Sequence, residues 1–526
     1  MSDLVLYNAR IHTQDTDRPT AQAIALRDNK IIAVGDNALV QRLSTNAKMI
    51  DLRGRCVIPG LIDAHLHAEW IALGLKNLDA ETPTLAELLR RVEERAAITP
   101  KNQWIRGHGW NQNVWGGVFP TRAELDRVAP EQPVYLTMKS GHAGWANSLA
   151  LKLAGISAAT PNPANGEIVR DERGEPTGIF LEGATDLIAK ALPDISAQAV
   201  ADALRDLLPR LHRCGLTGVH DFDGARAWQA WQILKENGEL NLRVSKTIPV
   251  YLLDHAIALG LRSGFGDDWL RINSVKAFAD GALGPQTALM IDPYEGSTVK
   301  RGIAITDKAA LLENVRQASA AGLSSTIHAI GDQANRDVLD VFAAARAAET
   351  TPRLRHRIEH AQLLHPDDGA RLAPLHIIAS MQPIHATSDR LIADQYWGQR
   401  SVGAYAWRTQ LNAGATLAFG SDAPVESFNP FLGIHAAVTR RRTDGSPAEE
   451  GWYPEQRLSV DEAVRGFTLG AAYASYDEQR KGSLTPGKLA DLIVLDRDIF
   501  TIEPMAIAET QALATLIDGR FVWNNL

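Results

Sequence analysis

Eight short apolar runs recur between residues 56 and 424: CVIPGLIDAHLH, GLTGVHDF, LRVSKTIPVY, RINSVKAFADGAL, LSSTIHAIGD, RHRIEHAQLL, HIIASMQP and ATLAFGSDAP. Most are separated by amphipathic stretches, such as DKAALLENVRQASAAG and GDQANRDVLDVFAAARAAE, whose apolar residues fall at helical spacing. Strand followed by helix, repeated along the chain, restricts it to an α/β fold with a parallel sheet, because parallel strands need crossover helices and bury both faces. Eight such units predict a closed (β/α)8 TIM-like barrel.

Two features lie outside that rhythm. About 140 residues separate the first and second runs, against the ~30 of a simple βα unit. A large insertion is therefore expected at residues 82–195, between the first-strand region at 58–81 and the remaining barrel at 196–477. The chain ends, residues 1–57 (LVLYNARIHT, AIALRDNKIIAVG, MIDLRGRCVIP) and 478–526 (ADLIVLDRD, ALATLIDGRFVWNN), read as short strands. They predict one small β-sandwich built from both termini. A net charge of -8 offers no cationic surface for nucleic acid or anionic lipid. No apolar run reaches the ~20 residues of a membrane span, and MSDLVLYNARIHTQDTD has no signal-peptide pattern. The expectation is a cytoplasmic protein with a small-molecule partner, no nucleic acid and no membrane, with a homodimer left open as its assembly. Cys56 and Cys214 read as reduced core thiols.

In a strand, residues two apart share a face, so His65 and His67 point together from the end of the first strand, where barrels carry their chemistry. Two imidazoles suit a divalent ion such as zinc, iron, nickel or copper, although the pair alone reads more readily as two partly buried histidines at a strand end. His328, His360 and Asp422 close the fifth, sixth and eighth runs, separated by 32 and 62 residues, or one and two βα units. His356 shares the inward face with His360 and reads as a core histidine. Lys276, within SVKAFADGALG, faces inward with Phe278 and Asp280. A buried lysine is costly unless paired or altered. Three readings stay open: a salt bridge to Asp280, a neutral buried amine, or a carbamate formed with carbon dioxide whose two oxygens bridge two metals.

These residues, together with HGWNQNVW, SGHAGWANSLAL, RDERGEPTG, VKAFADGALG, IHAIGD, RIEHAQ, MQP and GSDAPV, resemble the binuclear amidohydrolase superfamily. The resemblance narrows to the branch of N-substituted formamide deformylase and YtcJ-like proteins, and it covers essentially the whole chain. It implies a metal-dependent hydrolase of a non-peptide C–N bond acting on a small, apolar N-substituted amide or formamide. It also implies two divalent ions, Zn2+ first among them: one on His65, His67 and Asp422, the other on His328 and His360. A carboxylated Lys276 and a hydroxide would bridge the two, and Asp422 would serve also as the catalytic base. The Glu that deaminating relatives carry near the fifth-strand histidine is missing from His328-Ala329-Ile330-Gly331-Asp332, which favours amide hydrolysis. The alternatives are cyclic-amide or N-acyl amino acid hydrolysis on the same ligands, or mononuclear deamination. A binding protein on a decayed scaffold would have lost ligands, and none is lost.

For substrate contacts, a segment leaving the barrel after its first strand begins beside the ligands, so Trp110, Trp115 and His142 of the insertion are expected there. His220 and His385 end the second and seventh runs on the same face, and Asp280 stands four residues beyond Lys276.

Overall fold

All eight runs form strands, and they pair in chain order into one parallel sheet: β1 Leu61–Leu66, β2 Leu216–Asp221, β3 Arg243–Pro249, β4 Leu270–Phe278, β5 Ser324–Ala329, β6 Arg357–His360, β7 Ile378–Met381 and β8 Leu417–Phe419. The computed structural model describes residues 4–43, 47–348 and 354–526. Just beyond β8, a parallel bridge from Ala423 to Leu66 and a 2.7 Å hydrogen bond from Asp422 N–H to the His65 carbonyl bring the last strand back to the first. Every residue of β1, β2 and β5 is buried, as expected where helices cover the outer face and side chains fill the inner one. The helix Ala197–Arg213, for instance, buries Val200, Leu204, Leu207 and Leu211, a stripe at the three-to-four-residue spacing of one helix face.

The first apolar run is two strands. Cys56–Pro59 pairs with Leu492–Leu495 and Arg10–His12 in a sheet outside the barrel, and β1 begins only at Leu61. Gly60 joins them, and a Cβ there would sit 2.4 Å from the Thr217 side chain of β2. Only glycine lets the chain enter the barrel so close to its neighbour.

Both ends of the chain build the flanking β-sandwich. One sheet has four strands from the N-terminal part, and the other has six, drawn from both termini. Leu6, Ile24, Val57, Leu492 and Leu516 share its core. After β1 the chain forms a short helix, Ala68–Gly74, and then a separate six-stranded sheet whose strands run from Leu78–Asp79 to Pro176–Glu182. Among the described residues no helix is long and apolar enough to cross a membrane. Both cysteines are free thiols, Cys56 buried and Cys214 half-buried.

Candidate metal centre

The chain leaves its strands abruptly at the barrel mouth. His360, Ala361 and Asp422 have φ of 72°, 43° and 58°, a left-handed conformation that costs roughly 1–3 kcal/mol per non-glycine residue and persists only when its surroundings enforce it. Asp63 supplies part of that enforcement. Its carboxylate accepts hydrogen bonds from the backbone N–H of His65 and Ser421, each at 3.0 Å, and from the Ser421 hydroxyl. This carboxylate ties the His65 end of β1 to the segment that carries Asp422.

Four imidazoles converge here, and each is oriented by a hydrogen bond through one ring nitrogen. His65 Nδ1 meets Glu359 Oε2 at 2.6 Å, His67 Nδ1 meets Asp223 Oδ1 at 3.2 Å, and His360 Nδ1 meets Gln382 Oε1 at 2.8 Å. His328 donates from Nε2 to the Gly281 carbonyl at 2.9 Å, which leaves the Nδ1 lone pair as its donor atom. The Nε2 atoms of His65 and His67 lie 3.3 and 3.4 Å from Asp422 Oδ1. Ring centroids are 5.0 Å apart for His65 and His360 and 4.6 Å for His360 and His328. Donor atoms of His65, His360 and Asp422 all fall within 4.8 Å of one another. One nitrogen fixed by an acceptor and the other turned towards neighbouring donor atoms is the arrangement of metal-binding histidines.

The electrostatics agree with that use. Burial, with the positive charge of Lys276 and neighbouring histidines, holds His65, His328 and His360 well below the usual imidazole range, so they are neutral donors. His67 differs. Burial lowers it, but hydrogen bonds to Asp223 and Asp422 outweigh burial and push it up to about 9. A cation bound between them would compete with that proton.

Lys276 Nζ lies 4.5 Å from the Phe278 ring centroid and 4.9 Å from that of Phe222. Burial lowers its pKa to about 8 against the pull of Glu359 and Asp422. The salt bridge to Asp280 is not formed. Asp280 instead accepts backbone N–H groups from Leu289, Ile330 and Gly331 at 2.8 to 3.0 Å and stands 3.6 Å from His328 Nε2. It braces the loops behind β4 and β5 and does not line the cleft. Four imidazoles, a carboxylate and a buried amine aimed at one space suit a divalent cation.

The cleft above these residues has a volume of about 680 Å³, with His142, His328, His360, His385 and Asp422 in its wall. His142 is held by Glu182 Oε2 at 2.7 Å, and its ring centroid lies 5.0 Å from that of His328. Gln362 Nε2 donates to His385 Nδ1 at 3.3 Å, and His385 Nε2 is 3.8 Å from Asp422 Oδ2.

Three other expected contacts lie elsewhere. His220 is buried deeper in the barrel, where Arg357 Nη1 donates to its Nδ1 at 3.0 Å. Trp110 is fully buried and donates to the Leu136 carbonyl at 2.9 Å, and Trp115 donates to the Thr82 carbonyl at 3.0 Å. Their rings pack with Trp145 and Phe119 in the core of the insertion.

The acceptors that orient the histidines went unnoticed in the sequence. Glu359 is the central one. Besides His65, it pairs with Arg357 Nε at 2.7 Å and accepts from Ser380 Oγ at 2.6 Å. Its signal was an Arg-x-Glu inside a fully buried strand, since two charges there must pair. Gln382 allows a cleaner test, because removing it strands no charge. Gln382→Met is expected to loosen metal retention by roughly 10- to 100-fold in a chelator competition, with circular dichroism unchanged. Wild-type retention would show that His360 needs no orienting acceptor.

A family model described as "Amidohydrolase family" matches residues 48–523. YtcJ of Bacillus subtilis (strain 168) is 33% identical over 529 residues, covering 98% of each chain. N-substituted formamide deformylase of Arthrobacter pascens is 33% identical over 542 residues, covering 99% of this chain and 98% of that one. Among solved structures, an uncharacterized metal-dependent hydrolase from Pyrococcus horikoshii superposes with a TM-score of 0.77 at 28% identity, over 96% of this chain and 99% of that one.

Proposed function

Because the chain belongs to the amidohydrolase family, and is thereby a hydrolase of carbon–nitrogen bonds other than peptide bonds, we propose that it cleaves a small N-substituted amide or formamide at a binuclear metal centre. The observation that carries this reading is the convergence of four oriented imidazoles, Asp422 and the buried Lys276, with His328, His360 and Asp422 in the wall of one cleft. In this reading His65, His67 and Asp422 would hold one ion and His328 and His360 the other, with Lys276, as a carbamate, supplying a ligand to both. Two divalent ions bound there, Zn2+ being the best match to the donors, would lower the pKa of a water from ~15.7 towards ~7 and polarise a carbonyl.

The chain's own groups do the remaining work. Asp422 turns Oδ1 to His65 and His67, and its other oxygen faces His385 across 3.8 Å. That second oxygen is the base that takes the proton of the attacking water and passes it to the leaving nitrogen. His142, steadied by Glu182, meets the substrate from the insertion side. Val114, Met138, Leu283, Ile392 and Val425 give the cleft apolar wall for an N-substituent. Lys139 is engaged by Glu81 at 2.5 Å and Glu426 at 3.6 Å, and Arg442 faces Asp444 at 4.0 Å. Those pairings favour a neutral substituent over the carboxylate of an N-acyl amino acid.

The test is metal analysis joined to a turnover screen over N-substituted formamides, N-acyl amino acids and cyclic ureides. Close to two ions per chain and a preference for the first class are expected. Full activity with a single ion, or turnover by release of ammonia, would replace this reading with a mononuclear deaminase.

A pair of variants separates the cleft from the insertion's core. His142→Ala is expected to lower kcat/KM by roughly 10- to 100-fold at unchanged metal content. Trp110→Ala should leave kinetics near wild type and cost about 3–5 kcal/mol of stability, read by urea denaturation. Equal kinetics in His142→Ala and wild type would move the substrate contacts to the barrel loops around His385.

A further inference from the structure

We propose that the β-sandwich carries a separate zinc-type site formed by His12, Cys56 and Asp498. Sheet register brings the three together. Arg10–His12 pairs in parallel with Cys56–Pro59, with Arg10 opposite Cys56, and Leu495, three residues before Asp498, stands opposite Cys56 on its other side. The donor atoms of all three side chains lie within 4.8 Å of one another. His12 Nε2 and Asp498 Oδ1 are 3.3 Å apart. Zinc–ligand bonds of about 2.0–2.3 Å give tetrahedral edges of about 3.3–3.7 Å, so this pair already has the spacing of two ligands on one ion.

The donor set is one imidazole, one thiol and one carboxylate, all zinc ligands, with sulfur weighing against calcium or magnesium. Supporting contacts surround it. The His12 ring stacks on Phe500, centroids 3.7 Å apart at 12°. Burial keeps the His12 pKa low, so the imidazole is a neutral donor. Asp498 directs Oδ2 to Arg10 Nη1 at 3.6 Å and receives the Phe500 N–H on Oδ1 at 3.2 Å. The Ile499 N–H reaches the Cys56 sulfur, a contact that favours thiolate. Burial, with the negative charge of Asp498 beside it, keeps this thiol protonated, and a cation supplies the positive charge needed to release the proton. Cys56 is sealed, whereas the His12 side chain keeps 20% of its exposure. An ion, and a water to complete its coordination, would therefore enter from the His12 side. The ion would clamp an N-terminal strand, a C-terminal segment and the strand that runs through Gly60 into β1.

Cobalt(II) tests this on the full-length protein, because thiolate ligation gives a near-ultraviolet sulfur-to-cobalt charge-transfer band. The wild-type protein is expected to show the band. Cys56→Ser and His12→Ala should lose it together with one zinc per chain, at unchanged amide turnover. Cys214→Ser and His360→Ala should keep it. A wild-type spectrum without the band, or a band that disappears in Cys214→Ser, would overturn the site and leave Cys56 as a thiol hydrogen-bonded to Asp498. The wild-type spectrum decides even if Cys56→Ser does not fold, and the result is independent of the barrel centre.

Discussion

Asp422→Asn should lower kcat/KM on the order of a thousandfold, within the 10²–10⁴ range of a lost general base, and weaken metal retention as well. The substitution is nearly isosteric. Asn tolerates the left-handed backbone at this position, φ 58°, and the Asp422 N–H bond to the His65 carbonyl at 2.7 Å does not involve the side chain. Folding should therefore be intact. What disappears is the anionic oxygen 3.3 and 3.4 Å from His65 and His67 Nε2, and with it the ligand and proton acceptor of the proposed mechanism. Steady-state kinetics with elemental analysis on the same sample check both losses. Activity within tenfold of wild type would remove Asp422 from the chemistry.

The barrel was legible in the sequence because each strand announces itself by composition, and His328, His360 and Asp422 stand at or just past strand ends, one and two βα units apart. The resemblance to the amidohydrolase superfamily is matched by the family model over residues 48–523. Side-chain direction was less legible where the backbone leaves regular geometry. Strict alternation along RHRIEH puts His356 on the inner face with His360. In the structure Arg357 and Glu359 face inward, His356 stacks on Phe342 of the covering helix Asp332–Ala348, and the positive φ of His360 turns its ring back to the mouth. The acceptor of His65 was hidden by that reversal.

A similar irregularity explains Trp110. The strand Ile105–Trp110 shifts register between His108 and Trp110 around Gly109, whose φ is 114°. A bulge re-aims the residues that follow it. Gly109 and Asn111 line the cleft and Trp110 turns into the insertion's core. Adjacency to the barrel mouth located that backbone without deciding its face. His220 shows the complementary limit: periodicity shows that it points inward but not how deep it lies, and Arg357 reaches it from across the barrel.

The largest remaining effect is expected at Lys276. The site leaves this amine between two aromatic rings, 4.5 and 4.9 Å from their centroids, and an ammonium there would give up its hydration for weak compensation. With the pKa lowered to about 8, about a tenth of the lysine is neutral at pH 7, against less than a thousandth for an ordinary lysine. The neutral amine is the form that reacts with carbon dioxide: its lone pair bonds to the carbon, one N–H proton is released, and a carbamate anion results. Lys276→Ala and Lys276→Met should both lose activity on the order of a thousandfold, equivalent to several kcal/mol of lost metal-assisted stabilisation, and both should retain fewer ions. They should differ in rescue. Alanine leaves a space that acetate or propionate can enter to restore a bridging carboxylate, whereas methionine fills it against Phe222 and Phe278. Labelled bicarbonate gives a second readout, a carbamate carbon resonance present in wild type and missing in both variants. If Lys276→Met stays within tenfold of wild type, the lysine is only a packing residue, and the two ions, if bound, must be bridged by something else.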